Sequence, residues 1–97
     1  MNILEFKLFL AQSEFTPKEI LELLAKDELS VIRLYVAGNP KTPKEILEIL
    51  AKDTKSHVRF LVSVNTNAPK KILKILMKDN TTYVREFAKS NFFNKKF

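Results

Sequence analysis

Three arginines, Arg33, Arg59 and Arg85, each stand six residues after an aspartate, Asp27, Asp53 and Asp79, and Lys7 occupies the same register near the start of the chain. A guanidinium presents a planar fork of donors that grips a carboxylate or a phosphate through two parallel hydrogen bonds. A ladder of such forks suits two tasks: reading the phosphates of a nucleic acid, or holding repeated units together. The aspartate before every arginine favours the second, in which each guanidinium joins the carboxylate six residues earlier and caps carbonyls between neighbouring units. Asn39, Asn65 and Asn91 follow in the same step. Asparagine tolerates the left-handed conformation and bonds nearby backbone, so these three are expected to shape turns.

Little else in the chain suits catalysis. His57 is the single histidine and there is no cysteine, which leaves no thiolate zinc site, no His-based triad and no disulfide. Gly38 is the single glycine, so no glycine-rich loop can cradle a phosphate. No paired acid and base appear either, and neither an enzyme nor a cofactor is expected.

The lysines carry more information. Glu22 with Lys26, and Glu48 with Lys52, are favourable i, i+4 pairs on a helix. In the third unit both glutamates of the pattern become lysine, and Lys70, Lys71, Lys74 and Lys78 share one arc of about 100°. These four are the candidate basic surface for an acidic partner. Of the 97 residues, 17 are Lys or Arg and 11 are Asp or Glu, for a net charge of +6. That charge is polarised: residues 1–53 hold 7 basic and 9 acidic residues, and residues 54–97 hold 10 basic and 2 acidic.

The elements that must position these groups follow from an internal repeat. Segments beginning TPKEILELLAKD at Thr16, TPKEILEILAKD at Thr42 and APKKILKILMKD at Ala68 recur every 26 residues without gaps. Residues 5–15 are a half repeat, 16–41, 42–67 and 68–93 are full repeats, and 94–97 form a tail, all in one domain. The first two units open with a threonine N-cap, proline at the first helical position and a glutamate three residues after the cap, which predicts a capping box at Thr16 and Thr42 that Ala68 and Lys71 abolish in the third. An amphipathic helix of about ten residues follows, with Ile20, Leu21, Leu23 and Leu24 on its apolar face. A second helix spaces Ile32, Tyr35 and Val36, then Val58, Leu61 and Val62, then Val84, Phe87 and Ala88 at i, i+3, i+4. In the first unit it is apolar nearly all round, which predicts burial. Neither helix can bury its face alone, so the units must stack into an all-α solenoid of helix pairs, about seven short helices in all.

The pattern D-x5-R-x5-N followed by T-P-K-E-I-L, carried by Val36-Ala37-Gly38-Asn39-Pro40-Lys41-Thr42-Pro43, Leu50-Ala51-Lys52-Asp53 and Val58-Arg59, resembles the leucine-rich repeat variant family over residues 5–93. The Asp and Arg positions also resemble the ladder of HEAT-type repeats. The resemblance implies a superhelix in which α-helices alternate with shorter helices, some inner ones of 3₁₀ form, and it implies interaction rather than a reaction. The cysteine cluster that holds an iron–sulfur centre in some members is absent, so no cofactor carries over.

The expected function is a protein-interaction module or scaffold, with nucleic-acid binding through the basic third repeat as the alternative. A second candidate surface is the apolar column Leu8, Leu34 and Phe60, flanked by Tyr83, which serves either as core or as a groove for a partner. The tail, with Phe92, Phe93 and Phe97, is expected to cover the open end of the stack or to join two copies, and the charge asymmetry favours head-to-tail pairing. With no apolar run of membrane-spanning length and no basic leader before the opening apolar residues, a cytoplasmic location is expected and membrane insertion is not.

Overall fold

The computed structural model describes residues 1–95. Among them are seven helices and no strand: α1 (Ile3–Gln12), α2 (Lys18–Leu24), α3 (Ser30–Gly38), α4 (Lys44–Leu50), α5 (Ser56–Ser63), α6 (Lys70–Leu76) and α7 (Thr82–Asn94). The odd-numbered helices lie side by side in one layer, α3 between α1 and α5 and α5 between α3 and α7, and the even-numbered helices cover them. The assembly measures 40 × 26 × 17 Å.

All seven helices are α-helical, so no inner helix takes the 3₁₀ form, and the short members of each pair are the outer ones. The outer helices span seven residues rather than about ten because each starts one residue late and gives way to a turn two residues early. Pro17, Pro43 and Pro69 sit at the cap position with extended ψ of 148°, 155° and 158°. The expected capping boxes do not form there. The Thr16 hydroxyl turns back and donates to the Leu10 carbonyl at 2.6 Å, and Thr42 does the same to Val36 at 2.7 Å. Threonine therefore ties the outer helix to the end of the preceding inner one, and Ala68 forgoes that tie rather than a cap. The chain does contain a capping box, formed by Asn2 and Glu5 at the start of α1, with bonds of 2.8 and 3.2 Å.

The core is the seam between the layers. Leu21, Leu24, Ile46, Leu47, Leu50, Ile72, Leu73 and Leu76 come down from the outer helices, and Ile32, Val36, Val58, Val62, Val84 and Ala88 rise from the inner ones. Each buried aliphatic side chain contributes about 1.5–3 kcal/mol relative to exposure. A seven-residue helix resting on one layer buries only a narrow stripe, so Leu23, expected on the apolar face, is 69% exposed, and its counterparts Ile49 and Ile75 are exposed as well. The inner helix of the first unit is likewise not enclosed all round, since Val31 and Tyr35 reach solvent.

Residues 91–94 continue α7 to 13 residues. Phe92 packs half-buried against the core beneath the Lys70 ammonium, which lies 5.4 Å from its ring centroid, while Phe93 is exposed. Lys95 donates to the Thr66 carbonyl at 2.8 Å. Phe97 lies outside the described residues.

Candidate interaction surfaces

One edge of the layers carries the arginines, at the start of each inner helix. The carboxylate partner of Arg33 and Arg59 is not the aspartate six residues earlier but the one 20 residues later, in the next unit. Arg33 grips Asp53 through Nε at 2.7 Å and Nη2 at 3.2 Å, and Arg59 grips Asp79 at 2.8 and 3.1 Å. The earlier aspartate contributes its main-chain carbonyl instead: Nη1 donates to Asp27, Asp53 and Asp79 at 2.7 Å from Arg33, Arg59 and Arg85 respectively. The helix geometry explains the exchange. The aspartate side chain already closes its own turn by accepting the amide two residues on, Leu29, Lys55 or Thr81, at 2.9 Å, and this aims its other face at the preceding unit. Lys7 makes the first such contact, Nζ to Asp27 at 2.7 Å.

The charges respond as the geometry requires. The Lys7 bond, helped by the Leu29 amide, holds the Asp27 carboxyl below the usual carboxylate value. For Asp53 and Asp79, burial pushes the carboxyl up, and the guanidinium of Arg33 or Arg59 overrides it, so both titrate below the ordinary value. Arg33 and Arg59 are raised in turn, chiefly by those same carboxylates.

The opposite edge carries the asparagines. None sits in the left-handed conformation, since no described residue has positive φ and Asn39 itself has φ −73°. Their amides bridge units backward. Asn39 Nδ2 donates to the carbonyls of Ala11 and Ser13, Asn65 to those of Ala37 and Asn39, and Asn91 to those of Ser63 and Asn65, at 2.7–3.0 Å. In Asn39 and Asn65 the amide oxygen also accepts the backbone N–H two residues on, which is the turn role in a different backbone geometry.

The inner layer turns its remaining side to solvent. Leu8, Leu34 and Phe60 are half-buried in the seams between neighbouring inner helices and pack on the core; Phe60 meets Tyr83 and Phe87 edge to face at 5.5 and 5.1 Å. The column that faces outward is the next one, Phe9, Tyr35, Leu61 and Phe87. Leu61 is half-buried, and the others are 57%, 38% and 49% exposed. Val31 and Tyr83 flank it. A groove of about 310 Å³ opens between Leu34, Tyr35, Gly38 and Leu61, with Gln12, Asn39 and Pro40 at its rim. Gly38 leaves it open: a Cβ there would come within 2.9 Å of the Leu61 Cδ1 atom. The periodicity groups Tyr35, Leu61 and Phe87 with Ile32, Val58 and Val84 on one packing face; the structure turns these three outward instead. His57 lies on this side, exposed, its Nε2 3.4 Å from the Ser30 hydroxyl.

The four lysines are held differently. Lys70 is taken up by Phe92, and Lys71 forms an exposed ion pair with Glu48 at 3.3 Å. Lys74 and Lys78 are exposed without an ion pair among the described residues, and Lys78 lies past the end of α6. No group of three or more metal-ligating side chains is assembled among the described residues, and no helix there is long and apolar enough to cross a membrane. Comparison with known proteins returned no matching family model, no matching curated protein and no matching solved structure.

Proposed function

We propose that this chain is a non-enzymatic, cytoplasmic helical-repeat module of the leucine-rich repeat variant type that binds a segment of another protein along its inner layer. The observation that carries the reading is the outward row Phe9, Tyr35, Leu61 and Phe87 beside the Gly38 groove. Large rigid side chains half-exposed in line, next to a recess open to an inserted side chain, are the make-up of an interaction hot spot. The flanking positions Gln12, Val31, His57, Val64, Tyr83 and Ser90 are uncharged or weakly basic, and Glu5 is the one acidic residue in the pattern, which suits an amphipathic partner helix better than a phosphate backbone.

A photoreactive phenylalanine analogue in place of Tyr35, used in an extract of the source cell, tests this. A discrete protein adduct is expected, lost when Gly38→Gln fills the groove. Glutamine already occupies this register at Gln12, so the variant should fold. Labelling unaffected by Gly38→Gln, or a nuclease-sensitive adduct, would sink the reading.

A further inference from the structure

We propose that Arg85 is a carboxylate-binding site at the C-terminal end of the layers, taking an aspartate or glutamate side chain of a protein partner in the place that Asp53 and Asp79 take at the two earlier arginines. The inference rests on the chain being a protein-interaction module, and it uses a different surface from the inner row.

The three arginines are held alike. In each, Nη1 is anchored on the carbonyl six residues earlier at 2.7 Å, which orients the guanidinium and leaves its Nε and Nη2 edge for another partner. At Arg33 and Arg59 that edge receives an aspartate side-on. At Arg85 the same edge meets only the Thr82 hydroxyl, which accepts from Nη2 at 3.1 Å, and no carboxylate faces it among the described residues. A fork already oriented loses little freedom on binding, which is the advantage of arginine over lysine for a planar anion.

The surrounding residues distinguish this end from a face that awaits another apolar helix. Leu34 and Ala37, then Phe60 and Ser63, are covered by the following unit. Their counterparts on α7 are Glu86 and Lys89, exposed and paired at 3.4 Å. The uncharged stacking positions have thus become charged, while the arginine is retained with its anchor. Lys89 stands one helical turn from Arg85, and residues 54–97 hold 10 basic and 2 acidic residues, a field that draws an acidic segment toward this end.

The test follows the arginine Nε–H signals by NMR during titration with a synthetic peptide of alternating Asp and Ser, and with its Asn and Ser counterpart, at low salt. The expected result is a saturable shift of the Arg85 signal by the acidic peptide alone, with Arg33 and Arg59 unmoved because their carboxylates stay in place. Arg85→Lys keeps the charge and removes the fork, so it should weaken the peptide about tenfold. Lysine already stands in this register at Lys7, and a thermal melt of the variant checks that it folds. An unmoved Arg85 signal, equal binding by Arg85→Lys, or an equal response to inorganic phosphate at the same concentration would each overturn the assignment. The Tyr35 adduct separates the two readings: Arg85→Lys should leave it unchanged, and Gly38→Gln should leave the peptide titration unchanged.

Discussion

The two edges of the helical layers solve the same problem with different chemistry. At one, an arginine reaches forward to a carboxylate of the next unit; at the other, an asparagine reaches back to carbonyls of the previous one. The ionic edge is partly wet, with the Arg33 and Arg59 side chains 14% and 13% exposed, whereas Asn39 and Asn65 are 2% and 4% exposed. A charge pair taken out of water recovers its desolvation cost only through good geometry. A neutral amide incurs far less of that cost and satisfies helix-end carbonyls that burial would otherwise leave unpaired. The amide edge should therefore be the less tolerant of change. The opposite directions also explain the ends: Asn91 keeps its backward bonds to Ser63 and Asn65, while Arg85 meets no forward carboxylate among the described residues.

The largest effect is expected from Asn65→Asp. The substitution keeps the shape and the bond accepted from the Asn67 amide, but it replaces a donor with an anionic oxygen aimed at the carbonyls of Ala37 and Asn39. An uncompensated buried charge costs about 4 kcal/mol at neutral pH, measured as a shift of the urea midpoint with unchanged slope. The new carboxyl has a folded pKa raised above its unfolded value, so its protonated form is the one the fold favours. The deficit relative to wild type should shrink as pH falls toward the carboxylate range and grow as pH rises through it. A deficit independent of pH would show that lost shape, not charge, is what the amide edge resists.

Arg59→Ala comes next, at about 3 kcal/mol, because it leaves the Asp79 carboxylate, 9% exposed, with the Thr81 amide as its main donor. Asp53 and Asp79 titrate below the ordinary carboxylate value in the fold. Their contribution is therefore complete above that value and is lost as pH falls through the lower, folded one. Wild type should lose stability on acidification, and Arg59→Ala should lose less of it, since the Asp79 share is already gone. Equal acid limbs in the two proteins would mean that the ionic edge does not set the acid response.

What the sequence made legible divides along the same lines. The repeat, the alternation of outer and inner helices and the residues at both edges are visible because a 26-residue period overlays them column by column. The direction of each bond is not. In an exact repeat, every arginine has an aspartate six residues before it and another 20 residues after, and the two spacings are the same observation; only the aspartate's own turn, closed on Leu29, Lys55 or Thr81, decides between them. Thr16 and Thr42 are ambiguous for the same reason, since a hydroxyl between two helices can serve the one ahead or the one behind. The outward row is read from the sequence as packing face: Tyr35, Leu61 and Phe87 stand three residues after Ile32, Val58 and Val84 in the i, i+3, i+4 sets, yet they turn outward. Leu8 and Phe9, or Leu34 and Tyr35, are both apolar, and a one-residue step turns a helix by about 100°, the difference between a seam and a surface.

The smallest effect belongs to the first contact of the ionic edge, and it sharpens what the fork adds. Lys7 meets Asp27 through a single bond of 2.7 Å, with the lysine side chain 38% exposed. A point charge so placed is screened by water and salt, and Lys7→Ala should cost about 0.5 kcal/mol at low salt. That cost should fade toward zero at about 1 M salt, where the screening length is about 3 Å. Asp27 keeps the Leu29 amide, so its turn survives the substitution. Lys7→Arg is the converse experiment. If the side-on fork rather than the charge is what joins units, it should stabilise the chain by about as much as Lys7→Ala destabilises it. A neutral result for Lys7→Arg would place the strength of the Arg33 and Arg59 contacts in their burial between units, and would lower the affinity expected of the exposed fork at Arg85.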